Sequence, residues 1–160
     1  MIQNGGLVAY AALMLFFVLE AIFMFVPQTH RIGYTLASQR WFQYYVHKNN
    51  IGYRDEPITE ERLKNKIKIF VFGDSFTAGH GIKDPDDRYP DKLESMLPEN
   101  YVVLNLGRNG TGTQDQLFRY MLFPIKPQIF ILGYHGNDID EVCGIKDSYP
   151  YKPYTDLPPW

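Results

Sequence analysis

The sequence has a single cysteine, Cys143, so no disulfide can form within the chain and no redox compartment follows from cysteine usage. It has no surplus of basic residues either, with 16 Lys and Arg against 18 Asp and Glu and a formal net charge of -2. Nucleic-acid binding normally requires a basic face, so no nucleic acid is expected as a partner. The four histidines, His30, His47, His80 and His135, show no paired metal-ligand spacing. Neither a metal nor any other cofactor is expected. The opening Met-Ile-Gln-Asn-Gly-Gly contains no Lys or Arg, and the apolar run that follows leaves through Met24-Phe25-Val26-Pro27. A cleaved signal peptide would show a cationic start and a small-x-small exit, and neither is present.

What is present begins with that run. Leu7 to Val26 is interrupted only by Glu20, and at about 1.5 Å per residue it is long enough to cross a hydrocarbon core roughly 30 Å thick. The expectation is an uncleaved single-pass membrane helix over residues 1–27, with the lipid bilayer as its partner; a buried soluble helix is the plain alternative. Glu20 is costly inside a bilayer and points to a possible membrane-protein partner. Arg31, Arg40 and Lys48 follow the helix and nothing basic precedes it, which by the positive-inside rule leaves the remainder in the cytoplasm. Residues 28–66 read as a polar and aromatic connector. Trp41-Phe42-Gln43-Tyr44-Tyr45 suits either a headgroup layer or the surface of a domain.

From residue 67 the pattern changes to alternating strands and helices. Ile67–Phe72, Val102–Leu106 and Ile129–Leu132 are β-branched and aromatic runs that each end in glycine-rich polar sequence. Thr59 and its neighbours suit a helix start, and helices are expected over Asp91–Leu97, closed by Pro98, and Gln114–Phe123, closed by Pro124. This alternation argues an α/β fold with a parallel sheet, helices on its faces and ligands beyond the carboxyl ends of the strands. Residues 67–145 are assigned to that domain. Residues 146–160 carry four prolines and read as an extended tail, free or laid on a partner.

Three spots beyond the strand ends carry chemistry. Ser75 follows the first strand, where free N–H groups at a helix start favour a developing oxyanion. Gly110 follows the second, where a missing side chain lets its N–H approach a substrate. Asn137 follows the third, and its amide can donate to the same oxygen. Each alone is weak, because a serine after a strand more often caps a helix and Asn-Asp pairs mostly turn the chain. There is no Gly-x-Ser-x-Gly elbow, which disfavours an ordinary α/β-hydrolase.

Taken in order, Gly73-Asp74-Ser75-Phe76-Thr77-Ala78-Gly79, Asn105-Leu106-Gly107-Arg108-Asn109-Gly110 and Gly136-Asn137-Asp138 resemble the first three blocks of the SGNH (GDSL-type) hydrolases. Glu20 and the stretch Asn49-Asn50-Ile51-Gly52-Tyr53-Arg54-Asp55 resemble bacterial members of that family with a membrane anchor. The resemblance implies a flavodoxin-like, three-layer α/β/α domain. It implies ester or acyl chemistry on envelope glycans or lipids, with Ser75 as nucleophile and the Ser75 N–H, Gly110 and Asn137 as oxyanion hole. Asp74 and Asp138 are expected to serve the loop backbone, and the globular part to lie outside the cytoplasm, against the charge count. Two departures stand out. His135 replaces a glycine of the third block, and the family's closing Asp-x-x-His, source of its general base and orienting acid, occurs nowhere in these residues. His80 is the only local substitute for the base. A truncated enzyme is therefore expected, with two further strands absent and an apolar sheet edge left exposed. The alternative is a catalytically silent subunit of a membrane complex, touching its partner through Glu20 and residues 146–160.

Overall fold

The run Ile67–Phe72 is apolar on both sides of the pleat, which suits a strand covered on both faces. In the computed structural model, which describes residues 2–25, 36–136 and 138, it is the centre of a sheet. Strand β1 (Ile67–Gly73) lies between β2 (Tyr101–Gly107) and β3 (Ile129–Gly133), in the order β2-β1-β3. Both pairings are parallel, as the alternation of elements requires. The register aligns Gly73 with Gly107 on one side and with Gly133 on the other, so all three strands end on one row.

The two faces of the sheet follow the period of the strand. Ile69, Val71 and Val103 face Leu93 and Leu97, from or just beyond helix α5 (Tyr89–Met96). On the opposite face Phe70, Phe72, Leu104 and Leu106 pack with Tyr53, Ile58, Leu63 and Phe123. Leu63 belongs to the short helix α3 (Glu60–Leu63), and Phe123 ends helix α6 (Thr113–Leu122). The result is a three-layer α/β/α arrangement around three strands. Phe70 and Phe123 meet edge to face at 4.9 Å, and each such buried ring contributes about 1.5–3 kcal/mol through area removed from water.

Element boundaries differ slightly from the sequence expectation. Helix α5 starts at Tyr89 rather than Asp91, because Pro90 falls in its first turn, where its missing N–H costs nothing. Thr59 caps α3 by accepting from the Arg62 N–H. The larger difference concerns residues 28–66. They divide at Val46/His47, and residues 47–66 belong to the same compact unit as the sheet. The reason is local. Asn49 Oδ1 accepts from the N–H groups of Ile51 and Tyr53, and Asn50 clamps Ile58 through both its backbone N–H and its carbonyl. These side-chain bonds fold the stretch into a structured loop whose Tyr53 and Ile58 enter the core.

Among the described residues no strand pairs with the outer edge of β3. Ile129, Phe130 and Leu132 are each about two-fifths exposed, and Leu117, Phe118, Met121 and Leu122 of α6 are exposed as well. An uncovered apolar strand of this kind is the exposed edge expected from the sequence.

Helix α1 (Ile2–Phe25) contains a span, Gly5–Phe25, with a mean hydropathy of 2.4, long and apolar enough to cross a membrane. Helix α2 (Leu36–Tyr45) carries Arg40, whose Nη1 donates to the Met24 carbonyl at 2.5 Å and whose guanidinium stands 4.7 Å over the Phe25 ring. A cation there satisfies an otherwise orphaned carbonyl in the last turn of α1 and suits its negative end.

Candidate active site

The site is built on the row of glycines that ends the three strands. A one-turn helix, α4 (Ser75–Ala78), lies against all three positions. A Cβ added to Gly73 would sit 1.9 Å from Thr77 Oγ1. One on Gly107 would sit 2.4 Å from the Ala78 nitrogen, and one on Gly133 would meet Thr77 Oγ1 and the Tyr89 hydroxyl at 2.6 Å. The glycines are needed here for close approach. They leave a floor flat enough for α4 to rest on, with Ser75 as its first residue.

One turn of helix has little stability of its own, so side chains hold it. Asp74 Oδ1 accepts from the Phe76 N–H at 2.9 Å as the amino-terminal cap. Asn105, buried in β2, donates from Nδ2 to the Thr77 carbonyl at 2.9 Å, and its Oδ1 accepts from the Gly107 N–H. Thr77 Oγ1 and the Tyr89 hydroxyl lie 2.9 Å apart. Burial pushes the Tyr89 phenol up; the hydrogen bond from Thr77 opposes this and the Asp74 charge adds to it. At the far end Gly79 takes a left-handed cap with φ 73°.

Of the other expected site residues, Gly110 and Asp138 lie beyond the ends of β2 and β3. Gly110 lies three residues beyond the end of β2 and has φ 73°, with open space where a Cβ would stand. Glycine is required there by conformation, and the vacant side leaves its N–H approachable. Asn137 lies outside the described residues. Asp138 is fully buried and its Oδ2 accepts from the His135 N–H at 2.7 Å, within its own loop.

Among the described residues no hydrogen bond joins the Ser75 hydroxyl to the ring of His80 or His135. His80 Nδ1 stands 3.2 Å from Asn109 Nδ2, and with the amide donating, a neutral His80 keeps its proton on Nε2. Burial, helped by the Arg54 charge, lowers the His80 pKa and favours that neutral form. The His135 ring stacks on Phe76 at 4.3 Å with an interplanar angle of 21°. This places the departure from the family's third block against the residue that follows Ser75.

Arg54 and Asp55 stand out in the sequence only within the stretch that carries the family resemblance, with no role attached to them. Arg54 is buried, and its guanidinium donates to the carbonyls of Gly79, Ile82 and Lys83 at 2.7, 2.8 and 3.0 Å. Its own carbonyl accepts from Arg88, which also pairs with Asp91 at 2.5 Å. Burial, then the nearby Arg88, lowers the Arg54 pKa, with Asp91 opposing. Asp55 pairs with Arg62 at 3.3 Å and accepts from the Asn105 N–H at 3.1 Å. Arg62 in turn donates to the Val103 carbonyl, and Glu94 accepts from the Val103 N–H. Together these side chains close the free edge of β2. The available signal was composition: two asparagines, a glycine and an adjacent Arg-Asp pair suit a structured turn better than a connector.

Asp55 also makes folding depend on pH. Burial raises its pKa from 3.8 to about 6, outweighing the pull of Arg62 and of the N–H groups of Glu56 and Asn105. The folded state therefore holds the proton more tightly than the unfolded state. The stabilisation is complete below the unfolded pKa and is lost as pH rises through about 6, on the order of 2–3 kcal/mol. Urea unfolding of the wild type and Asp55→Asn between about pH 3.5 and 7 should show this as a steeper fall for the wild type across that window. Parallel curves would show that Asp55 does not titrate in it.

The fold is that of an α/β protein with a parallel sheet, and Ser75 and Gly110 lie beyond the carboxyl ends of its first two strands. Residues 69–158, more than half of the chain, match the family model for GDSL-like Lipase/Acylhydrolase, and the chain belongs to that SGNH/GDSL hydrolase family. Among solved structures it is similar to AlinE4, described as an SGNH-hydrolase family esterase, and to an aspartate-to-alanine mutant of that esterase. Each is 36% identical with a TM-score of 0.41, over 46% of this chain and 42% of the other. The chain thus spans less than half the length of that esterase. No curated protein sequence matches it.

Proposed function

We propose that this chain carries the nucleophile and oxyanion part of a membrane-anchored SGNH-type ester hydrolase or acyl-transfer protein acting on envelope glycan or lipid esters. The observation that supports it best is α4 resting on the glycine row, which puts Ser75 first on a helix at the ligand-binding end of the sheet. In this reading Ser75 Oγ attacks the ester carbonyl carbon and its proton passes to a base. The carbonyl oxygen becomes an oxyanion held by the N–H groups of Ser75 and Gly110 and the amide of Asn137; on collapse the base returns the proton to the departing alcohol oxygen, and the acyl group left on Ser75 Oγ passes to water or an acceptor hydroxyl. Losing one such donor typically costs about 3–4 kcal/mol of transition-state stabilisation. Fluorophosphonate labelling in the presence of an added Asp-x-x-His segment of the family, followed by peptide mass mapping, tests the assignment: labelling should be slight without the segment and fall on Ser75 with it, and adduct elsewhere would remove the assignment.

A silent subunit of a membrane complex is the second reading. It draws on the lack of a base hydrogen-bonded to Ser75 among the described residues, and on Glu20 and the proline-rich residues 146–160 of the sequence. In both readings α1 is the anchor and the unit beginning at His47 lies outside the cytoplasm. The full chain should float with liposomes in a density gradient, and a variant lacking residues 1–27 should stay at the bottom. Flotation of both would take the anchor role away from α1.

A further inference from the structure

The stretch Asn49–Asp55 has no part in the chemistry proposed above, yet it spends a buried guanidinium on the loop behind the nucleophile. A buried charge is costly unless its hydrogen bonds are made. Arg54 makes three of them to carbonyls of residues 79–83. That segment contains Gly79 and Gly81, both with left-handed φ values of 73° and 88°. Two such glycines give it little conformational preference of its own.

The peptide group between Gly79 and His80 makes a specific connection. Its carbonyl oxygen accepts from Arg54 Nη1 at 2.7 Å, and its N–H donates to the Ser75 carbonyl at 2.8 Å. One peptide plane therefore joins the Arg54 charge to the backbone of Ser75. A cation on the oxygen polarises the amide and strengthens the bond its N–H makes. Arg54 is itself held from behind, since its carbonyl accepts from Arg88, whose side chain is buried and paired with Asp91. Asp55, the next residue, grips the β2 backbone at Asn105, and the Asn105 side chain holds the Thr77 carbonyl. Adjacent residues thus reach α4 from its carboxyl end and from its floor.

We infer that Arg54 is a positioning residue for Ser75, acting through the Gly79–His80 peptide to fix the single-turn helix that presents the hydroxyl. The inference rests on the reading of Ser75 as nucleophile. Lysine cannot replace it, because a single ammonium lacks the planar fork that reaches three carbonyls at once.

Two measurements on the full chain in detergent micelles test this. The first is native-state hydrogen exchange. In Arg54→Lys the His80 amide should exchange roughly ten- to a hundredfold faster, the loss of a charge-assisted hydrogen bond, while the amides of Phe70 and Val71 in β1 keep their protection. The second is the pH profile of iodoacetamide alkylation of the thiol introduced by Ser75→Cys, in a Cys143→Ser background. Arg54→Lys should shift that profile. Arg54→Ala is the harsher companion and should change both readouts in the same direction. Unchanged His80 exchange would overturn the inference, and so would equal loss of protection throughout the sheet, which is the mark of a merely structural residue. Local loss at His80 with an unmoved thiol profile would overturn it too, because the loop would then be held without any effect on the nucleophile. Failure of the underlying reading has a different signature: no fluorophosphonate adduct on Ser75 even when an Asp-x-x-His segment of the family is supplied, whatever Arg54 does.

Discussion

Gly107→Ala should destabilise the sheet unit by about 3 kcal/mol or more, a large part of the roughly 5–15 kcal/mol available to a domain. The atoms an alanine Cβ would meet are backbone: the Ala78 nitrogen at 2.4 Å and the Thr77 carbonyl carbon at 2.6 Å. Backbone cannot swing aside as the end of a side chain can. Either α4 lifts from the sheet or the end of β2 bends, and both take Ser75 out of place. Gly81→Ala is the matched control. Nothing stands within 4 Å of its added Cβ, and only the φ of 88° opposes it, a cost of about 1–2 kcal/mol. Urea midpoints of the two variants in detergent should separate clearly. A Gly107→Ala protein within about 0.5 kcal/mol of wild type would mean that α4 does not rest on the glycine row as described.

The second large effect concerns turnover. With no base hydrogen-bonded to Ser75 among the described residues, the 160-residue chain should hydrolyse p-nitrophenyl acetate slowly, and Ser75→Ala should change that rate little. Serine hydrolases stripped of triad members keep roughly 10³–10⁴-fold over water from the oxyanion hole and binding. Supplying an Asp-x-x-His segment of the family, fused or in trans, should raise turnover by at least about 10²-fold, the usual contribution of a positioned general base. That gain should vanish in Ser75→Ala, because a base without its nucleophile has nothing to deprotonate. Fast, Ser75-dependent turnover by the unsupplemented chain would instead require an internal base. His80→Ala and His135→Ala would then identify it, and the silent-subunit reading would lose its support.

Several features of this protein are legible in its residues without coordinates. The apolar run into Phe25 and the β-branched runs ending at Phe72, Leu106 and Leu132 declare themselves by local pattern, because burial on one or both faces imposes a period on the chain. The parallel sheet follows from their alternation with helices, and the glycine at each strand end was visible too. That these glycines share one row was not. Register is a relation between strands distant in sequence, so only the aligned backbone shows that Gly73, Gly107 and Gly133 make a single floor for α4. The turn chemistry of Asn49 and Asn50 was likewise local and readable, yet the stretch passed for a connector. Its destination depends on packing against parts of the chain distant in sequence: Tyr53 joins the core, and Arg54 and Asp55 bond Gly79 and Asn105, 25 and 50 positions away. The placing of His80 beside Asn109 and of His135 on Phe76 belongs to the same class. The chemical identity of a side chain is written in the chain, but whether its lone pair is already occupied is settled by neighbours that only folding brings to it.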